Sequence, residues 1–274
     1  MNDTLKKVAK AVLPQRVVAA IVSKRWWDYN GRVMADRGVL DIAKRFVTRH
    51  GTTVLHGPFQ GLQYPMECAL TRYSTITLLG SYEMELHPWL YDVTPGKYER
   101  ILDIGAAEGY YAVGLALRTK TPVDAYETEA RSRQFCREMA SLNGVSKLVS
   151  IHSWCGPGTL LKLTDRRCLI FSDCEGYEVE LFKPEVIQAL AKSDCIIEIH
   201  EGANGSYWYP TEATRKTLEE RFAPTHDIHI VNFCPRDVTQ FPEVQFLGDA
   251  AYKAISEEDR GTSQQWMLAK ARAS

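Results

Sequence analysis

From residue 100 onward, short apolar runs alternate with longer stretches in which apolar residues return every three or four positions. The runs at 100–104, 123–126, 148–153, 168–172 and 195–199 predict strands. Between them, 109–117, 129–143 and 176–191 predict helices. The second carries Phe135, Met139 and Leu142 on one side and ends at Gly144, suited to a C-terminal cap. Strands alternating with helices imply right-handed crossovers and a mainly parallel α/β sheet covered on both faces. The rhythm then changes. Residues 211–222 predict a helix with the Thr211 hydroxyl placed to cap its first turn, 227–233 a strand, and 264–269 a last strand beyond a long irregular stretch. Two strands joined without a helix predict an antiparallel edge.

Upstream the pattern is less regular. Helices are predicted at 4–20, interrupted at Pro14, at 38–49, where Leu40, Ile42, Ala43, Phe46 and Val47 offer an apolar side, and at 81–90. Gly57, Pro58 and Gly61 between short apolar stretches predict a small hairpin over 52–64. Trp26-Trp27 is assigned to the core. The expected division is a helical and hairpin cap at 1–95 and a catalytic domain at 96–274.

The strongest local signal is ILDIGAAEGYYAVGLA at 101–116: a strand, a tight turn with Gly105 and Gly109, then a helix. Such a turn lets a ligand lie against backbone at a helix N-terminus. Glu127 ends the next strand, 22 residues after Gly105, where a carboxylate can accept both hydroxyls of a ribose. Together these indicate a nucleoside-containing ligand. A dinucleotide turn needs a further glycine for its pyrophosphate; Ala107 stands there, Glu108 beside it would repel a diphosphate, and Asp103 adds a second acid. The loop suits S-adenosylmethionine, which has ribose, adenine and a cationic end.

Whole-chain chemistry narrows the picture further. With 34 acidic and 33 basic residues in 274, no global basic field draws the chain to nucleic acid or an anionic membrane. The apolar run 17–22 is too short to span a bilayer, so no stable membrane insertion is expected, and a reduced, cytoplasmic setting is the default. Seven cysteines without a CxxC pair fit neither a disulfide scaffold nor a zinc site; in apolar segments they act as small buried hydrophobes.

The segments DIGAAEGYYAVGLA (103–116), YETE (126–129), SLNGV (141–145), SDCEGYEVELF (172–182) and IIEIHE (196–201) resemble the FkbM-type methyltransferases, within the class I S-adenosylmethionine-dependent superfamily. GPFQGLQYP (57–65) and LLGSYEMELHP (78–88) resemble a branch of the same family. The resemblance covers roughly 55–205. It implies a Rossmann-like seven-stranded sheet with its last strand antiparallel. One departure is Ala106-Ala107-Glu108, where the family's turn often has Gly or Ala-Asn. The resemblance also implies that Tyr82, Glu83 and Glu85 close over the cofactor, one carboxylate facing its ammonium. The cofactor-binding set is thus Tyr82, Glu85, Asp103, Gly105, Ala107, Glu108, Gly109, Tyr110 and Glu127.

In open α/β sheets ligands lie beyond the carboxyl ends of the strands, so catalytic candidates directly follow strands: Asp173, then His200 and Glu201. Methyl transfer to a hydroxyl requires an aligned acceptor, removal of its proton and exclusion of water. His200 is the candidate base, since imidazole titrates near neutrality. Asp173 orients the acceptor or the cofactor's ammonium, and Glu201 orients His200 or touches substrate. An alternative is that Asp173 with Glu198 or Glu201 holds Mg2+, which favours oxygen ligands. For Glu175 and Glu178 the competing reading is a helix start enriched in acids, which suits Glu178 better. Tyr207, Trp208, Tyr209 and Pro210 are placed to line an acceptor pocket or to pack. The expected function is O-methylation of a small molecule or glycan, with homo-oligomerisation left open. The rivals are an NAD(P)-type oxidoreductase or nucleotide-sugar enzyme, and a scaffold without catalysis.

Overall fold

The computed structural model describes residues 38–70, 73–164, 166–204, 207–255 and 264–272; the expected helix at 4–20 and the Trp26-Trp27 pair lie outside them. Strands β1 (Arg100–Ile104), β2 (Val123–Tyr126), β3 (Val149–His152), β4 (Cys168–Ser172) and β5 (Asp194–Ile199) fall where the apolar runs predicted them. A short hairpin, β6 (Gly202–Asn204) and β7 (Tyr207–Tyr209), follows, and β8 (His226–Asn232) and β9 (Gln265–Ala271) close the chain. The sheet order is β3-β2-β1-β4-β5-β9-β8. β1 to β5 pair in parallel, whereas β9 runs antiparallel between β5 and β8. The result is a Rossmann-like, mostly parallel seven-stranded sheet whose order reverses between β1 and β4.

The described helices are α1 (Val39–His50), α2 (Ser74–Leu79), α3 (His87–Asp92), α4 (Tyr110–Thr119), α5 (Ala130–Leu142), α6 (Pro157–Leu160), α7 (Glu178–Leu181), α8 (Pro184–Ala189), α9 (Thr211–Phe222) and α10 (Ala251–Ile255). Alternate strand residues enter two cores. Ile101, Ala125, Phe171 and Ile196 join the one covered by Phe46 of α1, Leu79 of α2, Val113 of α4 and Met139 of α5. Leu102, Ile170 and Ile197 join the other, with Leu181 of α7, Ile187 of α8 and Leu218 of α9. The segment before β1 therefore shares a core with one face of the sheet. Its Phe59 ring lies so close to α4 that a Cβ on Gly114 would stand 2.6 Å from it.

Five expectations need correction. The helix expected at 81–90 starts only at His87 as α3, after a 3₁₀ turn at Met84–Leu86. The predicted helix at 176–191 is two helices, because Pro184 has no N–H to continue a ladder and instead starts α8. Thr211 does not cap α9; Pro210 occupies that position and no side-chain cap bond forms. The hairpin at 52–64 is reduced to a single bridge between Thr53 and Gln63. The link between the last two strands is not free of helix, since it contains α10. All seven cysteines are free, five of them buried. No helix among the described residues is long and apolar enough to cross a membrane.

Candidate functional site

The chain turns at once after β1. The N–H groups of Gly105 and Ala106 both donate to the Tyr126 carbonyl, at 2.8 and 3.0 Å, tying the turn to the end of β2. On the other side Asp173 N–H donates to the Ile104 carbonyl at 2.8 Å. Gly105 has φ 91°, and a Cβ there would lie 1.7 Å from the Asp173 carbonyl oxygen, so no other residue fits. The exits of β1 and β4 are thereby held in contact at the switch point. Gly109, also left-handed, precedes α4.

Glu127 latches this turn. Its Oε2 accepts the Ala107 N–H at 2.9 Å and its Oε1 the Glu129 N–H at 2.6 Å. A cavity of about 510 Å³ opens between the turn and the exits of β2, β3 and β4. Gly105, Ala107, Glu127 and Asp173 line it together with Trp154 and Tyr177, whose rings lie 5.1 Å apart. Among the described residues its charged side chains are Glu127, Glu129, Asp173 and Glu175, and no lysine, arginine or histidine lines it.

Asp103 lies beneath the turn, 2% exposed, with Oδ2 unpaired by any hydrogen bond. Burial, then the charge of Asp173, with Glu127 and Glu108 adding, raises its pKa to about 8. Glu108 is half-buried, and burial followed by the nearby Glu127 charge raises its pKa, against a lowering backbone hydrogen bond. Tyr82 packs edge-on against Tyr110 at 5.6 Å, which brings the loop before α3 to the start of α4. The two carboxylates of that loop have partners within the fold. Glu83 accepts the Tyr111 hydroxyl, and Glu85 pairs with Arg236 at 3.0 Å, both side chains buried.

A second group adjoins the cavity through Asp173. His200 Nδ1 lies 2.7 Å from Glu178 Oε1, and its Nε2 faces Asp173 at 3.5 Å, Glu198 at 3.6 Å and Glu175 at 3.8 Å. Burial works to lower the His200 pKa, but the Glu178 hydrogen bond and the charges of Glu198, Asp173 and Glu178 prevail and hold it at about 10. Asp173, Glu175 and His200 each offer one ligand atom, all within 4.8 Å of one another, a donor set compatible with a divalent cation.

The structure thus brings Gly105, Ala107, Glu127 and Asp173 together, with Asp103 beneath and His200 beside them. Glu201 is exposed, and none of the described contacts joins its carboxylate to His200. Of the paired acids, Glu178 stands in the first turn of α7 as expected and Glu175 lines the cavity, but Glu178 meets the site as well. Glu178 is fully buried against His200, whereas the Glu175 side chain is 85% exposed. β7 carries 207–209 directly after the His200 loop, but their side chains lie outside what is described. Sequence reasoning also missed Trp154 and Tyr177, which have no periodic signal, and Arg236, which sits in the irregular stretch.

No protein-family model and no curated protein matches the chain by sequence. Solved structures resemble its fold at low identity. A geranyl diphosphate C-methyltransferase from Streptomyces coelicolor A3(2), bound to Mg2+, geranyl-S-thiolodiphosphate and S-adenosyl-L-homocysteine, is 15% identical over 83% of this chain and 91% of its own, with a TM-score of 0.44. A precorrin-8w decarboxylase of Methanobacterium thermoautotrophicum is 17% identical over 69% and 90%, TM-score 0.43. The C-terminal domain of precorrin-6Y C5,15-methyltransferase from Rhodobacter capsulatus is 14% identical over 69% and 89%, TM-score 0.43.

Proposed function

We propose that this chain is an S-adenosylmethionine-dependent methyltransferase that places its donor in the cavity between β1, β2 and β4. The observation that carries the reading is the charge of that cavity: among the described residues, four carboxylates and no basic side chain line it, at the switch point of the sheet. A diphosphate would be repelled there, and a ligand with a net cationic end attracted. This favours the sulfonium donor over a nicotinamide dinucleotide. Glu127 would accept ribose hydroxyls and Asp173 would face an ammonium, with Asp103 beneath the turn adding its charge when ionised. The bound donor would supply an electrophilic methyl group on sulfur.

The acceptor is a hydroxyl of a small molecule or glycan, a reading that rests on the FkbM resemblance. His200 would take the acceptor's proton at Nε2. With its pKa near 10 the ring carries a proton at neutral pH, so turnover is expected to rise with pH as that proton leaves. The compact Asp173, Glu175 and His200 set supports a second reading in which a divalent cation fixes the acceptor oxygen. Domain 96–274 would carry the chemistry, with 1–95 as the cap.

Calorimetric titration tests the donor. S-adenosylhomocysteine is expected to bind and NADH to remain unbound; the opposite result overturns the assignment. Repeating methyl transfer with chelator separates the two roles for the His200 group.

A further inference from the structure

We infer that Glu178 is the positioning residue for His200: it holds Nδ1–H so that Nε2 faces the cavity side of the site. This rests on the reading above that Nε2 meets the acceptor. Of the four carboxylates around the ring, only Glu178 stands at hydrogen-bond distance, 2.7 Å from Nδ1; Asp173, Glu198 and Glu175 lie at 3.5 to 3.8 Å from Nε2. The Glu178 side chain is fully buried, while Glu175 extends into solvent.

The support behind Glu178 is rigid. Leu181, one turn on in α7, is buried in the second core. Arg221 of α9 donates to the carbonyls of Val179 and Phe182 at 2.6 and 3.0 Å, fixing α7 at both ends. Gly176 N–H donates to the same Glu178 Oε1 at 3.2 Å. Gly176 has φ 97°, and a Cβ there would stand 2.5 Å from the Glu201 carbonyl oxygen. The loop that delivers Glu178 is therefore seated on the residue after His200. Which nitrogen of an imidazole is free is set by the bond the other one makes, and a buried carboxylate at Nδ1 is the arrangement that orients a base.

The test is nuclear magnetic resonance of protein labelled with 15N-histidine, with His200 assigned by its absence in His200→Ala. A slowly exchanging Nδ1–H signal is expected in the wild type. It is expected to be lost in Glu178→Leu, which offers no acceptor, with S-adenosylhomocysteine affinity within about twofold of wild type because Glu178 does not line the donor cavity. No protected Nδ1–H in the wild type, or the same signal surviving in Glu178→Leu, overturns the proposal. If Glu178→Leu does not fold, the wild-type spectrum alone decides. Failure of the wild type to bind S-adenosylhomocysteine would strike the functional reading while leaving the spectrum to judge Glu178.

Discussion

Replacing Asp103 by asparagine should change how the stability of the free protein depends on pH. The carboxyl is 2% exposed, and burial, then the Asp173 charge, raises its pKa to about 8. In an unfolded chain an aspartate titrates near ~3.9. Between those values the folded state holds a proton that the unfolded chain has released, so unfolding free energy falls as pH rises. The stabilisation tied to that proton is fully present below the unfolded pKa and is lost as pH climbs toward the folded one. The limiting slope for one proton is ~1.4 kcal/mol per pH unit, so between pH 5 and 7 the wild type should lose about 2 to 3 kcal/mol relative to Asp103→Asn. Asparagine keeps the shape and cannot ionise. Denaturant unfolding followed by circular dichroism at pH 5, 6, 7 and 8, at fixed ionic strength, measures the difference curve and cancels the other titrating groups. Parallel curves for the two proteins would refute the reasoning, as would an asparagine variant that loses stability faster than the wild type. The same proton should reappear in binding. An ammonium seated beside Asp103 favours its ionised form, so donor binding at pH 7 should release up to one proton, read as a buffer-dependent calorimetric enthalpy.

Removing the Arg236 guanidinium strands a carboxylate that is 1% exposed, so Arg236→Met should lower stability by about 3–5 kcal/mol in thermal unfolding. The double variant Arg236→Met/Glu85→Leu should recover most of that loss, and a double variant as unstable as the single would show that the pair is not the cause. Glu127→Ala should weaken S-adenosylhomocysteine binding by about 1–3 kcal/mol in calorimetry, and unchanged affinity would remove it from the ribose contact.

Much of the sheet was legible because its strands are buried on both faces. Such strands read as short continuous apolar runs, and 100–104, 123–126 and 168–172 match β1, β2 and β4 at both ends. The turn after β1 was legible for a similar reason: Gly105 sits where the Asp173 carbonyl leaves no room for a Cβ. Elements failed for two reasons, a local breaker inside an apolar period and tertiary contacts that overrode turn chemistry. The apolar spacing of 176–191 continues across Pro184, but the chain cannot. Residues 52–64 contain turn chemistry, yet their backbone bonds go partly to Leu78 of α2 instead of closing a ladder.

The pair Glu175 and Glu178 shows where reading from spacing stops. Both acids lie just after β4, and the macrodipole argument assigns the helix start to Glu178 more than to Glu175 without showing that Glu178 is buried. What separates them is the partner at the end of β5, 22 residues beyond Glu178 along the chain. β4 and β5 pair in parallel, so the loops leaving them emerge side by side, and the loop after β4 brings Glu178 to His200 from the interior and Glu175 from the solvent side. Gly176 decides which: its left-handed turn sits against Glu201 and points the chain so that Glu178, not Glu175, enters the interior. Asp173, at the root of the same loop, stays in the donor cavity while its Oδ1 reaches 3.5 Å from His200 Nε2. One five-residue loop, 173–177, thus links the donor cavity to the His200 group, and any displacement of it would move both at once.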